Sequence, residues 1–182
     1  MEVRAPKRVF LQSHMIDTSI PGRANCFDAS ALVKVWVNEP DCGPARHYFN
    51  TQSTTKYTTP FCYFETLSAM KLKWLRGLIP RDVYLNAAFA MTVWFQASSR
   101  QIKDIDFTSP PIFLRAKEIV ERYEIDLSDA FQIISVKEGY FAPLINDSQT
   151  LLVTADETLA KAAQAEGLKV WYCLSWPLPE IG

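Results

Sequence analysis

A chain of 182 residues with 48% hydrophobic and 21% charged side chains has the size and balance of one globular domain with a substantial core. No apolar run approaches the ~20 residues of a membrane span, so no membrane association is expected. With 19 basic and 20 acidic groups the net charge is -1, which argues against a binder that relies on overall neutralisation of nucleic-acid phosphates.

Cys26, Cys42, Cys62 and Cys173 are scattered without a CxxC pair, and only His14 and His47 accompany them. Neither a zinc cluster nor a disulfide framework is expected from that spacing; free thiols are, with Cys26 in the core. The opening residues carry basic side chains but no sustained apolar stretch, so they do not read as a secretory signal. A cytoplasmic location is the expectation.

Residues 1–22 mix Pro, Gly and polar types and read as a loosely held arm, which leaves 23–182 as a single domain. A short apolar strand is predicted from Ala24 to Phe27, ending on Asp28. Ser30 to Asn38 has helical spacing, with Leu32, Val33, Trp36 and Val37 on one side and Pro40 as the stop. Pro44 to Phe49 reads as a further helical turn or two, and Lys56 to Thr59 as β-prone. A helix is predicted from near Pro60 to Gly77, and another from Arg81 to Ser98. Ile102 to Phe107 alternates apolar and polar residues and reads as a strand with one buried face. Ser109-Pro110-Pro111 then opens a helix to about Tyr123. Leu127 to Glu138 is predicted helical and closed by Gly139. Leu151 to Val153 reads as a buried strand, Asp156 to Glu166 as a helix closed by Gly167, and Lys169 to Tyr172 as a last strand. Strands alternating with helices predict an α/β fold: a mainly parallel sheet covered on both faces.

Four acids stand out on this framework: Asp28, Glu65, Asp129 and Asp156, separated by 37, 64 and 27 residues. Ligand sites in an open parallel sheet form beyond the carboxyl ends of the strands. Asp28 directly follows its strand, Asp156 follows Val153 closely, and Asp129 and Glu65 lie in the early turns of helices. Each also has a plainer reading. Asp129 suits a first helical turn capped by Ser128, and Asp156 or Thr154 suits a helix cap. Together, four carboxylates side by side repel one another unless a divalent cation joins them, and oxygen ligands of this kind suit Mg²⁺ or Mn²⁺.

The runs FDASALVK, FETLSAMK, LSDAF and LLVTADETLAKAA resemble the motifs of the PIN domain over about Asn25 to Tyr172. The resemblance implies a three-layer α/β/α fold and Mg²⁺- or Mn²⁺-dependent ribonuclease activity. It further implies Asp28, Glu65, Asp129 and Asp156 as metal-binding and catalytic acids. On the same ground the chain is expected to be the toxin of a toxin-antitoxin pair, with RNA as substrate, an antitoxin protein as partner and a homodimer as its assembly. Ser30 and Thr154 are candidate donors orienting the carboxylates. Asp126, one turn before Asp129, is an auxiliary or alternative ligand.

A strand ending in Asp also opens haloacid-dehalogenase phosphatases, but those need a second acid where Ser30 stands. The alternative function is a non-catalytic PIN-like binding module. Lys71, Lys73, Arg76 and Arg81 form either one side of a phosphate track or a solvated helix face. The aromatic stretch Tyr84, Phe89, Trp94 and Phe95 reads as core, with a dimer face or partner groove as alternatives.

Overall fold

The computed structural model describes residues 24–97, 105–139 and 150–177. The predicted arm over 1–22 and the first part of the predicted strand at 102–104 lie outside them. The described elements are β1 (Ala24–Phe27), α1 (Ala29–Trp36), α2 (Gly43–Thr51), β2 (Thr55–Tyr57), α3 (Pro60–Leu75) and α4 (Arg81–Ala97). They continue with α5 (Pro110–Tyr123), α6 (Leu127–Glu138), β3 (Thr150–Thr154), α7 (Glu157–Ala165) and β4 (Lys169–Tyr172).

The four strands form one sheet in the order β2-β1-β3-β4, with every pairing parallel. β1 and β3 are central and buried along their whole length, with Asn25 and the two terminal threonines of β3 as their polar members. Strand alternation divides their side chains between two cores. Ala24, Cys26, Tyr57 and Leu152 join residues of α5, α6 and α7 on one side. Phe27, Leu151, Val153 and Trp171 join residues of α1 and α2 on the other. A third cluster packs Val33 and Val37 at α1 against Met70 of α3 and Ala87 and Met91 of α4. The result is a three-layer α/β/α fold.

Local chemistry fixes the ends of these elements. Thr59 caps α3, its hydroxyl accepting from the Cys62 backbone N–H at 3.2 Å, and Pro60 occupies the first helical position. Glu166, just past α7, takes up Lys137 of α6 together with Arg122 (3.1 Å) and the Tyr123 hydroxyl (2.9 Å) of α5, binding three helices into one layer. Gly167 leaves α7 with φ +84, a conformation that costs a side-chain-bearing residue energy. Open space surrounds its Cα, so Gly167→Ala should lose about 1 kcal/mol through backbone strain alone, lowering the melting temperature by roughly 3 °C in thermal denaturation.

Two sequence expectations are corrected. The end of the predicted strand, 105–107, is a bend and turn. Asp106 folds onto the following backbone, accepting from the Thr108 N–H at 2.9 Å, and its carbonyl accepts from Ser109 at 3.1 Å. The alternation was genuine burial without a strand: Ile105 and Phe107 pack on the α5–α7 core, Phe107 edge-on to Phe61 and Phe131. The aromatic stretch of α4 is also not uniformly core. Phe95 is buried, Tyr84 and Trp94 are half-buried, and Phe89 is 73% exposed.

Candidate functional site

The sheet order places β1 between β2 and β3, so the chain leaves β1 toward one edge and later returns on its other side. That makes the carboxyl ends of β1 and β3 the switch point of the sheet, the position at which open parallel sheets bind their ligands. Asp28 and Asp156 stand there as the N-caps of α1 and α7. The Asp28 N–H donates to the Val153 carbonyl at 2.9 Å, extending the β1–β3 pairing to the first acid.

Asp28 is only 4% exposed and richly held. Its Oδ2 accepts from the Ser30 N–H (3.0 Å), the Ser30 hydroxyl and the Thr154 hydroxyl (3.0 Å), so it also caps α1. Ser30 Oγ in turn accepts from the Ala155 N–H at 2.8 Å, and Thr154 Oγ1 accepts from the Asp156 N–H at 2.9 Å. Both hydroxyls therefore join the ends of β1 and β3 and hold Asp28. Asp156 caps α7, its Oδ1 accepting from Thr158 N–H (2.7 Å) and Leu159 N–H (3.0 Å). The second carboxylate oxygen carries none of these bonds.

Glu65 reaches the same place from α3. An oxygen of Asp28, an oxygen of Glu65 and the sulfur of Cys62 lie within 4.8 Å of one another. Glu65 Oε1 accepts from the Ser128 hydroxyl at 2.9 Å. Ser128 was expected to cap the next helix. Instead Asp126 stands at the cap position, α6 starts at Leu127 as its predicted limits had it, and Ser128, inside the first turn, turns toward Glu65. Asp126 holds the cap position without a side-chain cap bond and is exposed.

Asp129 lies among the others. Burial first, then the charges of Asp28, Asp156, Glu65 and Asp126, push its carboxyl up to about 7. Burial, and then Asp28 and Asp126, also move Glu65 upward, opposed by the Ser128 hydrogen bond. Glu65 stays largely open to solvent, so its shift is the weaker of the two. All four predicted acids are thus brought into one electrostatic cluster, with Asp126 at its margin. Among the described residues none of the five forms an ion pair with Lys or Arg.

Two participants escaped sequence reasoning. Cys62 is buried, and burial followed by the charge of Asp28 holds its thiol well above its ordinary pKa, so it stands protonated against Asp28 Oδ1 at 3.7 Å. Gln132 is buried beside it: its Oε1 accepts from the Thr59 hydroxyl (3.0 Å) and the Cys62 thiol (3.2 Å), and its Nε2 donates to Cys26 Sγ (3.0 Å). A usable signal was spacing, since Cys62 and Gln132 each sit three residues, one helical turn, from an acid. Carboxylate oxygens outnumber the single thiol in this donor set, a composition that suits a hard divalent cation.

The basic group lies elsewhere. Lys73 pairs with Glu39, and the Arg81 guanidinium lies 5.8 Å from the Trp74 ring centre, while Lys71 and Arg76 are exposed. No described helix is long and apolar enough to cross a membrane.

No known protein family and no curated protein sequence matches the chain. Among solved structures, the crystal structure of PAE2754 from Pyrobaculum aerophilum is similar, with 15% identity and a TM-score of 0.49 over 79% of this chain and 87% of that one. A likeness of that degree carries no functional argument.

Proposed function

We propose that the protein is a divalent-cation-dependent nuclease of the PIN-domain type that hydrolyses RNA, with Asp28, Glu65, Asp129 and Asp156 as the cation's ligands. The observation that carries this reading is the gathering of four carboxylates, from four separate elements, at the switch point of a parallel sheet, with no cationic side chain among the described residues paired to them. Such a cluster is electrostatically unfavourable alone and is relieved by a cation. When bound, Mg²⁺ or Mn²⁺ supplies an activated water near neutral pH and stabilises charge on phosphoryl oxygens.

The chain's own part is positioning. Ser30 and Thr154 hold Asp28 by one oxygen, with the other facing the Cys62 thiol and the cluster. Asp156 is fixed by the α7 backbone through one oxygen, and Ser128 steadies Glu65. Gln132 ties the Asp129-bearing helix to the start of the Glu65-bearing helix and to β1, so the spacing of three acid-bearing elements is set by one buried amide. The resemblance to PIN domains supports in-line attack leaving a 5′-phosphate and a 3′-hydroxyl. RNA as substrate and an antitoxin as partner follow from that resemblance alone.

The test is cleavage of a labelled, mixed RNA pool with Mn²⁺ and with EDTA. Cutting with Mn²⁺ that EDTA abolishes, with 5′-phosphate product ends, is expected. An intact pool together with a melting temperature indifferent to Mn²⁺ would favour the non-catalytic binding module.

A further inference from the structure

The acid cluster as a whole suits a hard cation, but its inner part contains one donor of a different kind. Cys62 and Glu65 stand three residues apart on α3, so both side chains lie on one face of the helix. Asp28 meets that face from the end of β1, and one ligand atom from each of the three lies within 4.8 Å of the other two. Asp28 and Cys62 are 4% and 1% exposed, while Glu65 is open to solvent and gives the trio its way in.

Two observations separate this trio from a thiol that merely packs near an acid. One is the state of Asp28. Its Oδ2 takes up the Ser30 N–H, the Ser30 hydroxyl and the Thr154 hydroxyl. Among the described residues its Oδ1 meets no N–H or O–H donor, only the weakly donating Cys62 thiol at 3.7 Å. A buried carboxylate oxygen left in that state is unfavourable until a cation takes it up. The other is spacing. Zinc bonds of about 2.3 Å to sulfur and about 2.1 Å to oxygen, opened to a tetrahedral angle, set the two ligand atoms about 3.6 Å apart. The observed 3.7 Å already matches that separation. Gln132, its Oε1 3.2 Å from the sulfur and anchored by the Thr59 hydroxyl, keeps Cys62 in place.

We propose that Asp28, Cys62 and Glu65 form a site for a thiophilic divalent cation, Zn²⁺ by its chemistry, and that Cys62 sets the metal selectivity of the cluster. On binding, the sulfur–hydrogen bond of Cys62 breaks, a sulfur–zinc bond forms and the proton leaves to solvent, with no change of oxidation state. The site uses two of the four acids proposed to hold Mg²⁺ or Mn²⁺, so Zn²⁺ and those ions exclude one another and zinc withholds the cluster from the activating cation. Cys62→Ser leaves an all-oxygen set without that preference. The inference rests on the cation site of the nuclease reading but not on RNA cleavage.

Co²⁺ reads the sulfur directly. Titrating the full chain with Co²⁺ should raise a sulfur-to-cobalt charge-transfer band in the near ultraviolet, which Zn²⁺ displaces. The band should survive Cys42→Ser, which removes the one cysteine that is not buried, and disappear in Cys62→Ser and Cys62→Ala alike, with circular dichroism unchanged. In competition titrations Cys62→Ser should lose roughly tenfold or more in Zn²⁺ affinity but no more than about threefold in Mn²⁺ affinity. A Co²⁺-induced rise in melting temperature without the band would leave the cation to the carboxylates alone and overturn the role of Cys62. A band that persists without Cys62 overturns it in favour of another thiol, and equal losses for Zn²⁺ and Mn²⁺ overturn the selectivity. No thermal shift with Co²⁺, Zn²⁺ or Mn²⁺ overturns this inference and the cation reading together. An RNA pool left intact by Mn²⁺ beside a Cys62-dependent Co²⁺ band would sink the nuclease reading and leave the zinc site standing.

Discussion

Replacing Asp28 by Asn is expected to cut metal-dependent cleavage by on the order of 10³-fold while raising the melting temperature of the metal-free protein. The two effects have one cause. Asn can keep the amide oxygen where Oδ2 accepts from the Ser30 N–H, the Ser30 hydroxyl and the Thr154 hydroxyl, so the α1 cap and the β1–β3 connection survive. What disappears is one negative charge from a cluster in which Asp28 raises the proton affinity of Glu65 and Asp129. Loss of repulsion stabilises the empty site by about 1 kcal/mol. The same loss removes a direct cation ligand, and since changes behind a ligand already cost ~10–100-fold, loss of the ligand itself should cost more. Cleavage kinetics and thermal denaturation of the same preparation read both signs. A residue retained only for the fold would give the reverse, a less stable protein with proportionate activity. Undiminished cleavage in Asp28→Asn removes Asp28 from the site.

Most of the fold was legible because its signals are local. The buried strands β1 and β3 appear as apolar runs, and the helix limits are written by Pro60, Pro110 and Gly167 within a residue or two of where the helices begin or end. The failures occurred where tertiary contact overrode a local pattern. Ile105 and Phe107 alternate with Asp106 as a strand would, yet α5, α6 and Phe61 bury them from a turn that Asp106 itself closes. Ser128 precedes Asp129 as a cap should, but Glu65, distant in sequence, claims its hydroxyl. The acids were visible one by one because carboxylates at strand and helix ends are conspicuous. Cys62 and Gln132 were not, because a Cys in an apolar helix and a Gln between Phe131 and Ile133 look like ordinary core neighbours. Their role depends on a buried meeting of β1, α3 and α6 that only the folded chain supplies.

The metal-free protein should lose stability as pH rises from about 4 to about 7, the reverse of ordinary acid denaturation, and Mn²⁺ should abolish that loss. Asp129 titrates near its ordinary value when unfolded but is pushed up to about 7 when folded, by burial and by the surrounding acids. Between those values the folded state binds more protons than the unfolded state, so stability falls with rising pH through the window and levels off above it. Glu65, also shifted upward, acts in the same sense. Glu166, held low chiefly by Lys137, and Glu39, held low by Lys73 and Lys34 against the opposing effect of burial, work the other way. Their contribution is lost as pH falls below the ordinary Glu range, so it leaves the window to Asp129. With discount for partial solvent access the loss is about 2 kcal/mol, or roughly 5 °C between pH 5 and 7.5. A cation held only by the folded, ionised cluster adds about 2.7 kcal/mol at a hundredfold excess over its Kd, and it competes with the proton on Asp129. Mn²⁺ should therefore raise the melting temperature by about 5–10 °C at pH 7.5 and hardly at all at pH 5. In Asp129→Asn the metal-free decline with pH should flatten, because the principal titrating group is gone. Equal Mn²⁺ shifts at both pH values would place the cation elsewhere, and no shift at either would leave the acid cluster without the ligand its charge calls for.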